Sequence, residues 1–194
     1  MKPQTSPKDR ILKTADRLFY EQGYLSTGVN QIIKEAKVAK ASFYQHFPSK
    51  EDLAMAYITA HNTEFFDKVH RVIKPHPTPT AKIIALFDYL MVFTQHTEFR
   101  GCAFVNLTAE FPAPDSQPRQ QIAQFKTDLR RFIGQLIQAM TSADTVAKET
   151  PKMPAQLLSD TVFLLFEAAM VESRIHHQLW PIEASRAVVQ QLLS

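Results

Sequence analysis

The chain carries one cysteine, Cys102, in 194 residues. An intrachain disulfide is therefore excluded, and the cysteine content is that of a protein from a reducing compartment. Glycine is scarce as well, four against twelve prolines. That is too few for a sheet-rich fold with many tight turns, and it leaves no glycine loop to cradle a phosphate. Long apolar runs are missing. The stretch 162–166 is among the longest and falls far short of the roughly 20 residues that span a bilayer. The segment MKPQTSPKDR at the start is basic but has no apolar core, so it does not read as a signal peptide. No membrane association is expected, and a cytoplasmic location fits all of these absences. Catalytic signatures are missing too. There is no His-Glu-x-x-His, no Cys-x-x-Cys, no Walker loop and no Gly-x-Ser-x-Gly. Seven histidines occur, and His176 and His177 are adjacent. Neighbours on a helix point about 100° apart, so these two do not share a metal. No cofactor, no resident metal and no enzyme activity are expected.

What is present is an ordinary globular composition, 45% apolar and 21% charged, with an uneven charge. The net charge is +3. Residues 1–50 hold nine Lys and Arg against four acids, and the remainder of the chain is slightly acidic. A basic block on a near-neutral body suggests a polyanion as the partner of that block.

The helical period runs through the whole chain, which makes the expected fold all-α with about nine helices. Ile11, Leu12, Ala15, Leu18 and Phe19 form one face of a helix over 7–22, and Gly23 is placed to cap it. A shorter helix follows, with Thr27 as its expected N-cap and Val29, Ile32, Ile33 and Ala36 on its apolar face. Residues 37–39 leave room only for a tight turn. A third helix over 40–46 turns Phe43 and Phe47 inward, and Pro48 stops it. Ser49, with Asp52 three residues on, opens a fourth helix reaching about residue 73.

After the proline-rich break at 74–80, a helix over 80–97 is apolar nearly all round and should lie centrally. A short piece from Gly101 to about Phe111, a helix over 118–142, one opened by Pro151 and Pro154 and running to about Leu179, and a last one beginning at Pro181 complete the reading.

Two short helices joined by a tight turn describe a helix-turn-helix. Its third helix must bury one face and offer the other to a major groove. Here the inner face is Phe43 and Phe47. The outer side presents Lys40, Ser42, Tyr44, Gln45 and His46, where Ser and Gln are able to read base edges and Lys and Tyr to reach phosphates. The stretch AKVAKASFYQHFPSKE, residues 36–51, resembles the signature of the TetR (tetracycline-repressor) family. Ala15, Phe19, Gly23, Thr27, Val29 and Ile32 match the same pattern upstream. The family often has glycine at the positions of Lys37 and Ala41; both departures leave the fold intact and bear on sequence preference.

The resemblance implies a DNA-binding domain over residues 1–51 and a helical regulatory and dimerisation domain over 52–194. It implies that Thr27 contacts phosphate, that Lys40, Ala41, Ser42, Gln45 and His46 face the groove, that Tyr44 bonds phosphate, and that Lys50 meets phosphate beside a helix N-terminus. It further implies a homodimer through the last two helices, bound to a palindromic operator in double-stranded DNA, and a small-molecule ligand among the helices between 52 and 179. Two apolar stripes on the helix before the last fit the dimer: Leu158, Val162, Leu165 and Ala169 on one side, and Leu157, Leu164, Ala168 and Val171 on another. A single stripe suffices for a helix that has one partner.

Candidate pocket residues are Phe65, Phe87, Met91, Phe104, Phe125, Phe163 and Phe166, which suit an apolar or aromatic ligand. Cys102 joins them, because the segment RGCAF resembles a Gly-Cys element in a subset of the family where some members sense electrophiles or oxidants. A helix start and Arg100 would both favour its thiolate. Two other readings stand beside this one: a helix-turn-helix regulator without small-molecule control, and a helical enzyme. Repression and activation are both compatible with the same DNA-reading surface.

Overall fold

The computed structural model describes residues 6–143 and 153–194. Among these every regular element is a helix, so the all-α expectation holds. The elements are α1 (Pro7–Gln22), α2 (Val29–Ala36), α3 (Lys40–His46), α4 (Lys50–Ile73), α5 (Pro79–His96), α6 (Ala103–Thr108), α7 (Gln117–Ala143), α8 (Ala155–His176) and α9 (Trp180–Leu192). They form two compact units. The first comprises residues 1–64 and 103–123, the second residues 65–102 and 124–194. The long helices α4 and α7 are each divided between them.

In the first unit α1, α2 and α3 pack on one another. α1 starts at a capping box: the Ser6 hydroxyl accepts from the Asp9 amide at 3.1 Å, and the Asp9 carboxylate accepts from the Ser6 amide at 3.3 Å. Gly23 ends the helix at φ +92°, a conformation open to glycine. Ile11, Leu18, Ile32, Phe43, Leu53 and Ile58 are fully buried. Each contributes roughly 1.5–3 kcal/mol through removal from water. The Ser49 hydroxyl caps α4, accepting from the Asp52 amide at 3.0 Å.

In the second unit α5 is the central helix, as its all-round apolarity predicts. It packs on both α8 and α9 and buries Ile83, Ala85, Leu86, Phe87, Leu90 and Thr94. The Phe87 ring meets Phe166 edge-on at 5.6 Å. Arg186 of α9 is fixed to Asp88 of α5 at 2.6 Å.

Several boundaries differ from the sequence reading, each for a local reason. Thr27 is not the N-cap of α2; Gly28 is, in extended conformation. The Thr27 hydroxyl instead donates back to the Gly23 carbonyl at 2.7 Å. α6 begins at Ala103 rather than Gly101, because Glu98, Phe99 and Gly101 all hold positive φ. α8 ends at His176, where His177 takes the left-handed conformation with φ 53°. Pro154 caps the start of α8, and Pro151 lies outside the described residues.

Candidate DNA-binding site

The site is built from the turn upward. α2 ends at Lys37, whose φ of 53° and ψ of 51° put it in the left-handed region. Its amide donates to the Lys34 carbonyl at 3.3 Å and the Val38 amide to the Ile33 carbonyl at 3.2 Å, which closes the turn. Arg10 of α1 donates to the Lys37 carbonyl at 3.4 Å. An ion-pair set on the outer side joins Arg17 of α1 to Glu35 of α2 and to Glu21.

α3 then leaves the turn with Phe43 buried and Phe47 3% exposed. That anchoring decides which residues look outward. Lys40, Ala41, Tyr44 and Gln45 are exposed; Ser42 and His46 are half-buried. These six lie along one short helix, and Tyr44 leans edge-on against Phe43 at 5.3 Å. Lys50 stands at the first position of α4, half-buried, with its ammonium 4.1 Å from the centre of the Tyr24 ring. Burial pulls its pKa below the usual lysine value, and Glu110 partly opposes that shift.

Thr27 is placed differently from these. It is 0% exposed, with its hydroxyl engaged by Gly23, so its side chain serves the turn between α1 and α2.

The candidate ligand residues fall in both units. Phe104 belongs to the first unit and Phe65, Phe87, Met91, Cys102, Phe125, Phe163 and Phe166 to the second. Phe65 meets Phe125 edge-on at 5.2 Å, and Phe87 and Phe166 form the second ring pair. Phe87, Phe104, Phe125 and Phe166 are buried; Phe65, Met91, Cys102 and Phe163 are half-buried. A groove of about 800 Å³ between α7 and α8 is lined by polar residues such as Arg130, Gln135 and Gln156. Another, of about 260 Å³, lies between α1 and α4 beside Asp16 and His61. None of the eight candidates lines either groove.

Residues that sequence reasoning missed surround Cys102. The Lys126 ammonium lies 3.7 Å from its Sγ and 2.5 Å from a Glu167 carboxylate oxygen. The other Glu167 oxygen is buried without a partner. Burial opposes the Lys126 charge, but Cys102 and Glu167 outweigh it and raise its pKa. Lys126 interrupts the apolar face of α7 between Ile122, Phe125 and Leu129, a signal visible in the sequence. Glu110, whose carboxylate holds the α1–α2 turn, gave no local signal.

A short, buried-backed helix with an exposed polar row, set after a tight turn within the basic stretch of residues 1–50, defines a helix-turn-helix DNA-binding regulator. Comparison with known proteins gives the family. The profile "Bacterial regulatory proteins, tetR family" matches residues 11–57, and "Tetracyclin repressor-like, C-terminal domain" matches residues 79–189. The chain belongs to the TetR family of transcriptional regulators; its relatives are regulators and not enzymes.

The transcriptional repressor NemR of Escherichia coli is 25% identical over 194 residues, covering 96% of this chain and 94% of NemR. An HTH-type regulator from the lacX 3′ region of Lactococcus lactis is 28% identical over 139 residues, 69% of each chain. Among solved structures, a TetR-family regulator from Streptomyces coelicolor superposes with a TM-score of 0.85 at 24% identity, over 96% of this chain and 94% of that one. The reduced form of Escherichia coli NemR gives 0.81 at 21% identity, over 96% and 97%. Among the described residues no helix is long and apolar enough to cross a membrane.

Proposed function

We propose that this chain is a homodimeric repressor, acting in the cytoplasm, that holds a palindromic operator and is released by a small molecule. DNA reading falls to residues 1–51, regulation and dimerisation to residues 52–194. The observation that carries this reading is the outward stripe of α8 and α9. Leu157 is 53% exposed, Leu164 62%, Ile175 67% and Trp180 50%. Ala168 and Val171 fill the same row at helical spacing. A row of this kind asks for a second helix against it, and a second copy of α8 supplies one by two-fold symmetry. The same two-fold axis would put two copies of α3 on successive half-sites, one helical turn or a small multiple apart.

In each half-site Gln45 and Ser42 read bases, His46 and Lys40 border the groove, Ala41 permits close approach, and Tyr44 and Lys50 meet phosphates. Thr27 contributes through the turn, since its buried hydroxyl is spent on Gly23.

The effector is a small apolar or aromatic molecule among the rings of the second unit, or an electrophile captured by Cys102. The second is favoured by Lys126, whose ammonium lies 3.7 Å from Sγ and puts a positive charge beside the sulfur. In that step the thiolate adds to the β-carbon of an electron-poor alkene. The carbon–carbon π pair passes to the α-carbon, which takes a proton from solvent. Either effector acts by binding one conformation of the dimer better than the other.

The test selects duplexes from random DNA with the wild-type chain, then adds N-ethylmaleimide to the complex. A palindromic product released by the reagent from wild type and retained by Cys102→Ser supports the reading. A product without two-fold symmetry overturns the dimer, and equal release from both chains overturns the thiol.

A further inference from the structure

Glu110 lies just beyond α6, 85 residues along the chain from the turn between α1 and α2, yet its carboxylate is seated on that turn. One oxygen accepts from the Tyr24 amide at 3.0 Å, the other from the Leu25 amide at 2.5 Å. Gly23 makes the approach possible. A Cβ there would lie 3.1 and 3.2 Å from the two oxygens, and φ +92° already disfavours a side chain. The aromatic ring of Tyr24 continues the junction: it is 4.6 Å from Phe111 and lies under the Lys50 ammonium at 4.1 Å. One carboxylate therefore faces two backbone amides and the field of the lysine that opens α4. Charge-assisted bonds to two successive amides fix direction as well as distance. The turn so fixed sets where α2 begins, and α2 with its turn sets where α3 points.

We propose that Glu110 is a positioning residue for DNA reading: by gripping the Tyr24 and Leu25 amides it ties the helix-turn-helix to the segment that follows α6. The proposal rests on the reading that this unit binds DNA. Its sign separates it from simple electrostatics. A carboxylate close to a phosphate-binding lysine repels DNA, so charge alone predicts that removing it tightens binding to every duplex. Positioning predicts that selective binding is lost.

The experiment compares wild type, Glu110→Gln, Glu110→Asp and Phe111→Leu on two duplexes, one selected by the wild-type chain from random DNA and one scrambled. Thermal unfolding and hydrogen exchange at the Tyr24 and Leu25 amides are followed in parallel. The glutamine keeps the size but turns an amide NH2 toward one of the two donors. The aspartate keeps the charge but draws it back by a methylene. Both should lose about tenfold or more in affinity for the selected duplex, with little loss on the scrambled one, and both should expose the two amides. Phe111→Leu weakens the same junction without touching the carboxylate, so it should lower the unfolding temperature and leave the ratio of the two affinities near wild type.

Unchanged or tighter selective binding in Glu110→Gln overturns the proposal. So does a loss of selectivity that tracks unfolding temperature equally across all three variants. If the wild-type chain enriches no sequence, the DNA-binding reading fails first and the proposal falls with it.

Discussion

The two compact units treat their large apolar side chains in opposite ways. Of nine that stand exposed among the described residues, only Leu25 and Tyr44 belong to the first unit. The other seven lie in the second, and all but Val92 of those are on α8 and α9. The first unit leaves few large apolar side chains exposed and shows a polar row along α3. The second leaves a helix face bare. Polar contacts to DNA tolerate water on both sides of binding, and a surface built for them need not be hidden beforehand. An apolar stripe is stable only when covered, so it points to a partner with the same chemistry.

The largest test of that contrast is Leu164→Glu. In a two-fold interface the substitution appears twice and buries carboxylates against apolar rows. Loss of one well-packed interface side chain costs ~2 kcal/mol or more. The expected outcome is a monomer by sedimentation, with operator affinity lower by about 100-fold. The same change at Leu25, exposed on the first unit, should leave association unchanged. A Leu164→Glu chain that remains dimeric would move the interface elsewhere.

Within the first unit the row on α3 and the lysine of α4 should separate by type of effect. Lys50→Ala should weaken selected and scrambled duplexes alike, by about tenfold, and lower the slope of log affinity against log salt by about 0.9. Gln45→Ala should cost ~1–3 kcal/mol on the selected duplex and relax preference at one position per half-site. A sequence-selective loss for Lys50 alone would reverse these roles.

What could be read from the sequence divides along the same line. The bounds of α1, α3 and α4, the inward Phe43 and Phe47, and the Ser49 cap all depend on residues within a few positions of one another. Local periodicity and cap chemistry therefore suffice to find them. The placement of Thr27 was misread because a threonine before a helix resembles an N-cap until the Gly23 carbonyl is known to lie within reach. Glu110 and Lys126 act across 85 and 24 residues; the break Lys126 makes in the apolar face of α7 marks it locally but does not name its partner, and nothing near Glu110 marks it at all. The two stripes on α8 were legible as stripes; which of them is bare follows only from the packing of Leu158, Val162 and Ala169 inside the second unit.

Lys126 allows a comparison between a half-buried charge and the exposed ones. Replacing it with Met strands the Glu167 carboxylate, one oxygen of which is already unpartnered, and should cost about 1–3 kcal/mol. Its pKa in the fold is raised above the ordinary lysine value of 10.5. The stabilisation it supplies is therefore complete below that value and fades as pH climbs through the folded pKa. Unfolding temperatures of wild type and Lys126→Met should differ at neutral pH and converge at strongly alkaline pH. A constant gap across that range would mean that packing, not charge, sets the difference. The same variant should slow alkylation of Cys102 by N-ethylmaleimide at neutral pH.

The smallest expected effect concerns the two turns of the helix-turn-helix unit. Gly23 holds φ +92° as a glycine, whereas Lys37 holds φ +53° with a side chain. An L-residue pays ~1–2 kcal/mol in the left-handed region, and glycine returns part of this through its greater freedom when unfolded. Lys37→Gly should therefore stabilise the fold by about 0.5–1 kcal/mol, read as a rise in unfolding temperature. The Arg10 bond to the residue 37 carbonyl needs no side chain there and should persist. The lysine side chain is exposed and adds a positive charge to the basic stretch of residues 1–50, so its loss should also reduce affinity slightly for selected and scrambled duplexes alike. A more stable variant with weaker, equally selective binding would mean that the strain at Lys37 is kept for its charge. If stability fell instead, the lysine side chain would have to make a contact that outweighs its backbone strain.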